Sequence, residues 1–217
     1  MPIEKGYLIV TNDFCFSFLW VQFFKIKTNQ GYKMKLSNML NSALVFSASK
    51  DIRYCLNGVN VYHKDGSIHA IASTDGHCVQ LLVNNLPFSV NLSEYESFIV
   101  SNDDCKRLSS IFALGDVDDI SVESMLTHIT TVDGKFPDVM RVIPTECAGS
   151  DELEIGIDYK YLAKISSSMT KLGKGVKVKH NGAKFIFRGA REAIRVEVDQ
   201  PALIGVKALI VIMPMVL

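Results

Sequence analysis

The sequence lacks a net charge: 23 Lys and Arg balance 23 Asp and Glu over 217 residues. That excludes a strongly basic nucleic-acid protein at the level of the whole chain, though not a basic face, because net charge carries no information about distribution. Cysteines at metal or redox spacing are missing too. Cys15, Cys55, Cys78, Cys105 and Cys147 stand far apart with no Cys-x-x-Cys, so neither a zinc site nor a thioredoxin-like motif is supported. Scattered free thiols suit a reducing cytoplasm. No long apolar run is present: Phe14 to Phe24 has eleven residues without a charge, short of the roughly 20 that span a membrane. Glu4 and Asp13 before it and Lys25 after it do not fit a signal peptide. Gly-x-Ser-x-Gly, P-loop, His-Glu-x-x-His and Gly-x-Gly-x-x-Gly motifs are all absent, which removes the common signatures of enzymes.

What is present reads as a globular chain. Apolar residues make up 48% and charged residues 21%, values that exclude wholesale disorder. At about 100–200 residues per domain, the length allows one large domain or two small ones. Charge is uneven: residues 1–150 hold 12 basic and 16 acidic side chains, and residues 151–217 hold 11 and 7. The basic C-terminal third hints at a polyanion-facing surface. Five of the twelve Phe and the only Trp lie within the first 33 residues. Residues 1–33 are therefore set apart as an apolar N-terminal extension, with Met34 as a candidate start that would make the extension non-native.

From Lys35 onward, periodicity organises the chain. Leu36, Met39, Leu40, Ala43 and Leu44 predict a helix over 36–46. Strand patterns follow at 58–62, 67–73 and 77–83, the first two joined by Lys64-Asp65-Gly66, a hairpin signal. A second cycle runs from a strand at 97–100 to a helix over 103–114, capped by Ser101 or Asn102, with Cys105, Leu108, Ile111 and Phe112 as its apolar stripe. Strands are expected at 119–123 and 126–131. A third cycle follows the polar linker 145–152: a strand at 153–157, an Asp158-capped helix to Leu172, then strands at 176–180, 184–188, 193–198 and 208–213, with an Asn181-Gly182 turn between the first two. The expected class is α+β, a strand–helix–strands unit repeated three times, which stacks to share a core. On the third helix Leu162, Ile165, Met169 and Leu172 span about 80°, and Lys160, Lys164 and Lys171 lie within about 40° of one another on the opposite side. The lysine row is either a solvated face or a set of phosphate contacts without base reading.

Three segments in order carry a resemblance: Asp51-Ile-Arg-Tyr-Cys-Leu-Asn-Gly58 with Ser73-Thr-Asp-Gly-His77; Asp133-Gly-Lys-Phe-Pro-Asp-Val-Met-Arg-Val-Ile-Pro144; and Val211-Ile-Met-Pro-Met215. Together they resemble the middle domain and extreme C-terminus of the bacterial sliding clamp, the beta subunit of DNA polymerase III, over about residues 35–217. The resemblance implies a DNA-clamp fold, with antiparallel sheets outside and helices lining a hole. It divides the chain into the extension 1–33, a middle-type domain 34–146 and a half domain 147–217. It implies a non-enzymatic, cytoplasmic processivity factor for DNA replication, without metal, cofactor or membrane. Such a protein encircles duplex DNA as a homo-oligomer and tethers polymerase and clamp-loader peptides. The alternative is a truncated or decoy clamp that binds such peptides without encircling DNA.

Carried over by motif, the peptide pocket comprises Arg53, Leu56, Thr74, Gly76, His77, Cys78, Val79, Pro137, Arg141, Val142, Val211, Met213, Pro214 and Met215. Met and Pro suit an adaptable apolar groove. The candidate DNA contacts, non-specific and to the backbone, are Lys106, Arg107, Lys160, Lys164 and Lys171. The chain departs from the family at Cys78, where Arg is usual, and at Val79, where Leu is usual. The resemblance reaches neither the family's first domain nor half of its third, so the unpaired unit is expected to pair with the same unit of a second chain. Catalysis has little support: His77 and Cys78 are adjacent on a strand and point to opposite faces, and Asp103-Asp104 and Asp118-Asp119 read as cap and turn residues.

Overall fold

A computed structural model describes residues 34–144, 155–176, 182–189, 192–199 and 205–214. Its framework is one antiparallel sheet of seven strands. Helix α1 (Leu36–Ala43) precedes strands β1 (Gly58–Lys64), β2 (Ser67–Thr74) and β3 (Cys78–Asn84). Then come β4 (Glu96–Ser101), α2 (Asn102–Ile111), the short α3 (Val122–Leu126), α4 (Tyr159–Leu172), β5 (Lys184–Ile186), β6 (Ile194–Val198) and β7 (Val206–Ile212). The strand order is β4-β1-β2-β3-β7-β6-β5. The sheet therefore runs unbroken from the middle segment into the C-terminal one, through a seven-residue ladder between β3 and β7.

Local chemistry explains the joints. Asp65 and Gly66 both take positive φ, 51° and 75°, the geometry of a tight β1–β2 hairpin whose twist matches that of its strands. Within that pair the register shifts: Tyr62 opposes Ala70 and His63 opposes Ile68, leaving His69 as the extra residue of a bulge. The bulge lets Ile68 and Ile71, three apart, enter the same core. Ser101 caps α2 by accepting from the Asp104 N–H, and Asp158 caps α4 by accepting from the Lys160 N–H at 2.9 Å.

Both faces of the sheet are covered. On one, Leu36, Met39 and Leu40 of α1, Cys105 and Leu108 of α2 and Leu172 of α4 pack on Val59, Val61, Ile71 and Leu82. Beneath α4, Ile165 meets Phe46, Cys78, Ile194, Val196, Ile210 and Ile212. On the other face lie Val90, Leu92, Phe136, Val139 and Ile143, from two irregular segments, against Tyr62, Ala72, Leu81, Leu209 and Val211. Arg195 fastens this covering layer by donating to the Pro144 carbonyl at 3.2 Å.

The structure corrects several expectations. The strands expected at 119–123 and 126–131 do not form. Val117–Asp119 is a 3-10 turn, and Ser121 caps α3 by accepting from the Ser124 N–H, which lets Val122 and Met125 be buried three residues apart on one helix face. The stripe of α2 keeps Cys105, Leu108 and, partly buried at the helix end, Phe112, but Ile111 is exposed. Of the strand expected at 153–157, Leu153 and Glu154 lie outside the described residues and Gly156 makes a single β-bridge. Helix α4 is rotated: its buried residues are Ile165, Ser168 and Leu172, while Leu162 is 43% exposed. The rotation has a polar cause. Ser168 sits fully buried, accepts from Gln80 Nε2 at 2.6 Å, shares a 2.6 Å hydroxyl bond with Ser42 and donates to the Ser42 carbonyl. Of the strand expected over 176–180, only Val176 is described; residues 177–180, the linker 145–152 and Asn181 lie outside the described residues.

Candidate functional site

The β3–β7 ladder brings distant parts of the chain to one corner. Cys78 opposes Ile212, Val79 opposes Val211, and the Met213 N–H donates to the His77 carbonyl at 3.2 Å. The β2–β3 turn is therefore set beside the C-terminal end of β7. That turn is dense with hydrogen bonds. The Thr74 hydroxyl donates to the Cys78 carbonyl at 2.8 Å and accepts from the Gly76 N–H at 3.0 Å. The Asp75 carboxylate accepts from the His77 and Cys78 N–H groups, each at 2.9 Å, and from the Cys78 thiol at 3.2 Å. Gly76 takes φ 89°, a left-handed conformation that glycine adopts without strain. A Cβ there would stand 2.8 Å from Nη2 of Arg53, so the guanidinium lies directly over the turn.

Arg53 joins this corner to a neighbouring groove. Its guanidinium donates to both oxygens of Asp51, Nε at 3.0 Å and Nη2 at 2.9 Å, and this fork holds the Asp51 carboxyl down to about 2. From Arg53 a cavity of about 1470 Å³ extends past Cys55, Leu56 and Tyr62 to Tyr95, walled by Phe136, Pro137, Met140 and Arg141. Burial raises the Tyr62 phenol.

Most of the expected pocket residues meet here. Arg53, Leu56, Pro137 and Arg141 line the groove. Thr74, Gly76, His77 and Val79 belong to the turn and the start of β3, and Val211, Met213 and Pro214 to the end of β7 and the residues after it. Met213 is half exposed, and Val142 lies exposed beside Arg141. Cys78 is the exception. Strand alternation turns it to the helix side, where it is 2% exposed beneath α4, so its side chain does not share the face of Val79. Burial and the Asp75 carboxylate push its thiol well above the ordinary range. Met215 lies outside the described residues. Tyr62, Tyr95, Phe136 and Met140 were not anticipated; Phe136 and Met140 stood inside the quoted Asp133–Pro144 segment, whereas the two tyrosines gave no sequence signal.

The five basic residues do not form one free row. Lys106 pairs with Asp103 at 2.9 Å, and Arg107 pairs with Asp104 at 2.7 Å and also donates to the His128 carbonyl. Lys160 and Lys171 are exposed on α4 and have no ion-pair partner among the described residues. Lys164 is drawn in: its ammonium meets Asp75 at 2.5 Å, with the side chain 31% exposed. Burial alone would raise the Asp75 carboxyl, but the Lys164 ammonium and the backbone and thiol hydrogen bonds outweigh it and the net shift is downward. No group of three metal-ligating side chains occurs among the described residues, and no helix among them is long and apolar enough to cross a membrane.

The antiparallel sheet backed by helices has the DNA-clamp fold, as its likeness to solved clamps shows. No family model matches the sequence. In sequence, the chain is 29% identical over 133 residues to the beta sliding clamp of Pseudomonas aeruginosa, a match spanning 56% of this chain and 34% of that protein. In structure, it is similar to a ligand-bound DNA polymerase sliding clamp of the same organism, with a TM-score of 0.59 at 16% identity, covering 86% of this chain and 66% of that one. It is also similar to the DNA polymerase III beta clamp of Bartonella birtlesii bound to griselimycin, with a TM-score of 0.56 at 16% identity, covering 84% and 64%. The chain thus spans about a third of the curated relative and less than two-thirds of these two solved clamps.

Proposed function

We propose that this protein acts as a sliding clamp: a non-enzymatic processivity factor that captures a peptide of a DNA polymerase or clamp loader and encircles duplex DNA as a homo-oligomer. The observation that carries the reading is the β3–β7 corner, where Gly76, His77, Val79, Val211 and Met213 come together beside the Arg53 groove. A few apolar anchors with an adaptable methionine and an arginine rim suit weak, exchangeable peptide binding. Lys160 and Lys171 supply phosphate contacts that need not be strong, since a closed ring is held by topology. The half domain 147–217 pairs with its counterpart in a second chain.

The second reading, a clamp-derived peptide binder that does not encircle DNA, is favoured by one observation: three of the five expected DNA contacts are engaged with acidic side chains. Griselimycin, a peptide-like ligand bound to a solved clamp of this fold, tests the shared part of both readings. Calorimetry should detect its binding, and Met213→Ala together with Arg53→Ala should weaken it by about tenfold or more, the loss of roughly 1.4 kcal/mol. Binding that ignores both substitutions places the ligand elsewhere and defeats the pocket assignment.

A further inference from the structure

Helix α4 and the β2–β3 turn are 89 residues apart in sequence, yet one ion pair joins them. Lys164 Nζ lies 2.5 Å from Asp75 Oδ2, and both side chains are mostly buried, at 31% and 18% exposure. The other carboxylate oxygen, Oδ1, takes the His77 N–H, the Cys78 N–H and the Cys78 thiol. Asp75 is thus the hub of the turn, and Lys164 is the cation that faces it. The ammonium also stands 5.7 Å from the Tyr161 ring centroid and 6.0 Å from that of Phe46, which fixes it on two sides.

We propose that Lys164 is a positioning residue of the peptide pocket: reaching from α4, its ammonium clamps the Asp75 carboxylate and holds Gly76 and His77 in the conformation a partner peptide meets. This rests on the peptide-capture reading above. The Arg53 guanidinium over Gly76 is held by Asp51, so the cation that bonds the Asp75 carboxylate is Lys164, reaching from α4. The consequence is a direct link between the C-terminal unit and the pocket. A charge-assisted bond between largely buried partners is strong enough to set a loop's geometry. Removing the ammonium leaves a mostly buried carboxylate without its counter-charge, and the turn relaxes toward solvent.

The test is calorimetric titration of the full chain with griselimycin. Lys164→Met is expected to weaken binding about tenfold and to speed amide exchange at Gly76, His77 and Cys78. Lys164→Arg should restore affinity to within about twofold, because a guanidinium still meets a carboxylate. Lys174→Met, which removes an equal charge near the end of α4, should change nothing. Asp75→Asn should mimic Lys164→Met, and the double variant should be no weaker than either single one; Asp75→Asn also carries the test if Lys164→Met does not fold. Normal affinity in both Lys164→Met and Asp75→Asn overturns the inference while leaving peptide capture standing. Failure of the Arg variant to rescue, with Met and Arg equally weak, also overturns it. A wild-type chain that ignores griselimycin overturns the capture reading and this inference together.

Discussion

Replacing Ser168 by alanine removes the centre of the polar contact between α1, α4 and β3. In the native protein this hydroxyl accepts from Gln80 at 2.6 Å, bonds the Ser42 hydroxyl at 2.6 Å and donates to the Ser42 carbonyl at 3.2 Å. Its residue and Gln80 are both fully buried. Without Ser168 Oγ, the Gln80 amide keeps one bond, to Ser42 Oγ at 3.3 Å, and its carbonyl oxygen already has no partner. Leaving a buried donor under-satisfied costs about 1–3 kcal/mol; about 2 is expected here, since one long bond survives. With a urea slope of about 3 kcal/mol per molar, the midpoint should fall by roughly 0.7 M at unchanged slope. The combined Ser42→Ala, Gln80→Leu and Ser168→Ala chain should recover most of that loss, because an apolar replacement of a whole polar network strands no partner. Urea unfolding followed by circular dichroism reads both. A neutral Ser168→Ala variant, or a triple variant weaker than the single one, refutes the claim that this network sets the rotation of α4.

Gly76→Ala should cost about 1–2 kcal/mol through left-handed backbone strain and should weaken griselimycin capture by displacing Arg53; thermal unfolding and titration check the two effects. Because the native Asp75 pKa lies below its ordinary value of 3.8, its ionised form adds stability above that value, and the contribution is lost as pH falls through the lower native pKa. Asp75→Asn should therefore flatten the acid limb of the stability curve below about pH 4, and an unchanged limb would contradict the Lys164 contact. Burial raises the Cys78 and Cys105 thiols, so at pH 8 iodoacetamide should modify the half-buried Cys55 and spare those two in the native protein. Mass spectrometry that finds Cys78 alkylated as fast as Cys55 would contradict its place beneath α4.

The elements with strong periodicity were legible in the sequence. Leu36, Met39, Leu40 and Ala43 gave α1, Asp65-Gly66 gave the first hairpin, and Asp158 gave the start of α4. Short β-branched stretches misled: Ile120 and Val122 read as strand, but the Ser121 cap made a helix. By periodicity Leu162 belongs to the buried stripe of α4, because hydropathy cannot foresee that Gln80 and Ser42 draw Ser168 inward. For the candidate site, the Thr74–His77 and Asp133–Pro144 segments lie at one corner and along the neighbouring groove, as their order in the sequence led one to expect. The Asp75–Lys164 pair was invisible, since its partners meet only through tertiary packing and each had a bland local reading: a turn residue and a surface lysine.

Whether the proposed clamp closes around DNA is read from solution mass by light scattering, with and without duplex DNA, on chains beginning at Met1 and at Met34. A closing ring should give a defined oligomer from at least one of the two chains, gaining the mass of one duplex when DNA is present. A species that stays monomeric at all concentrations and ignores DNA would contradict it, leaving peptide capture as the function of the fold.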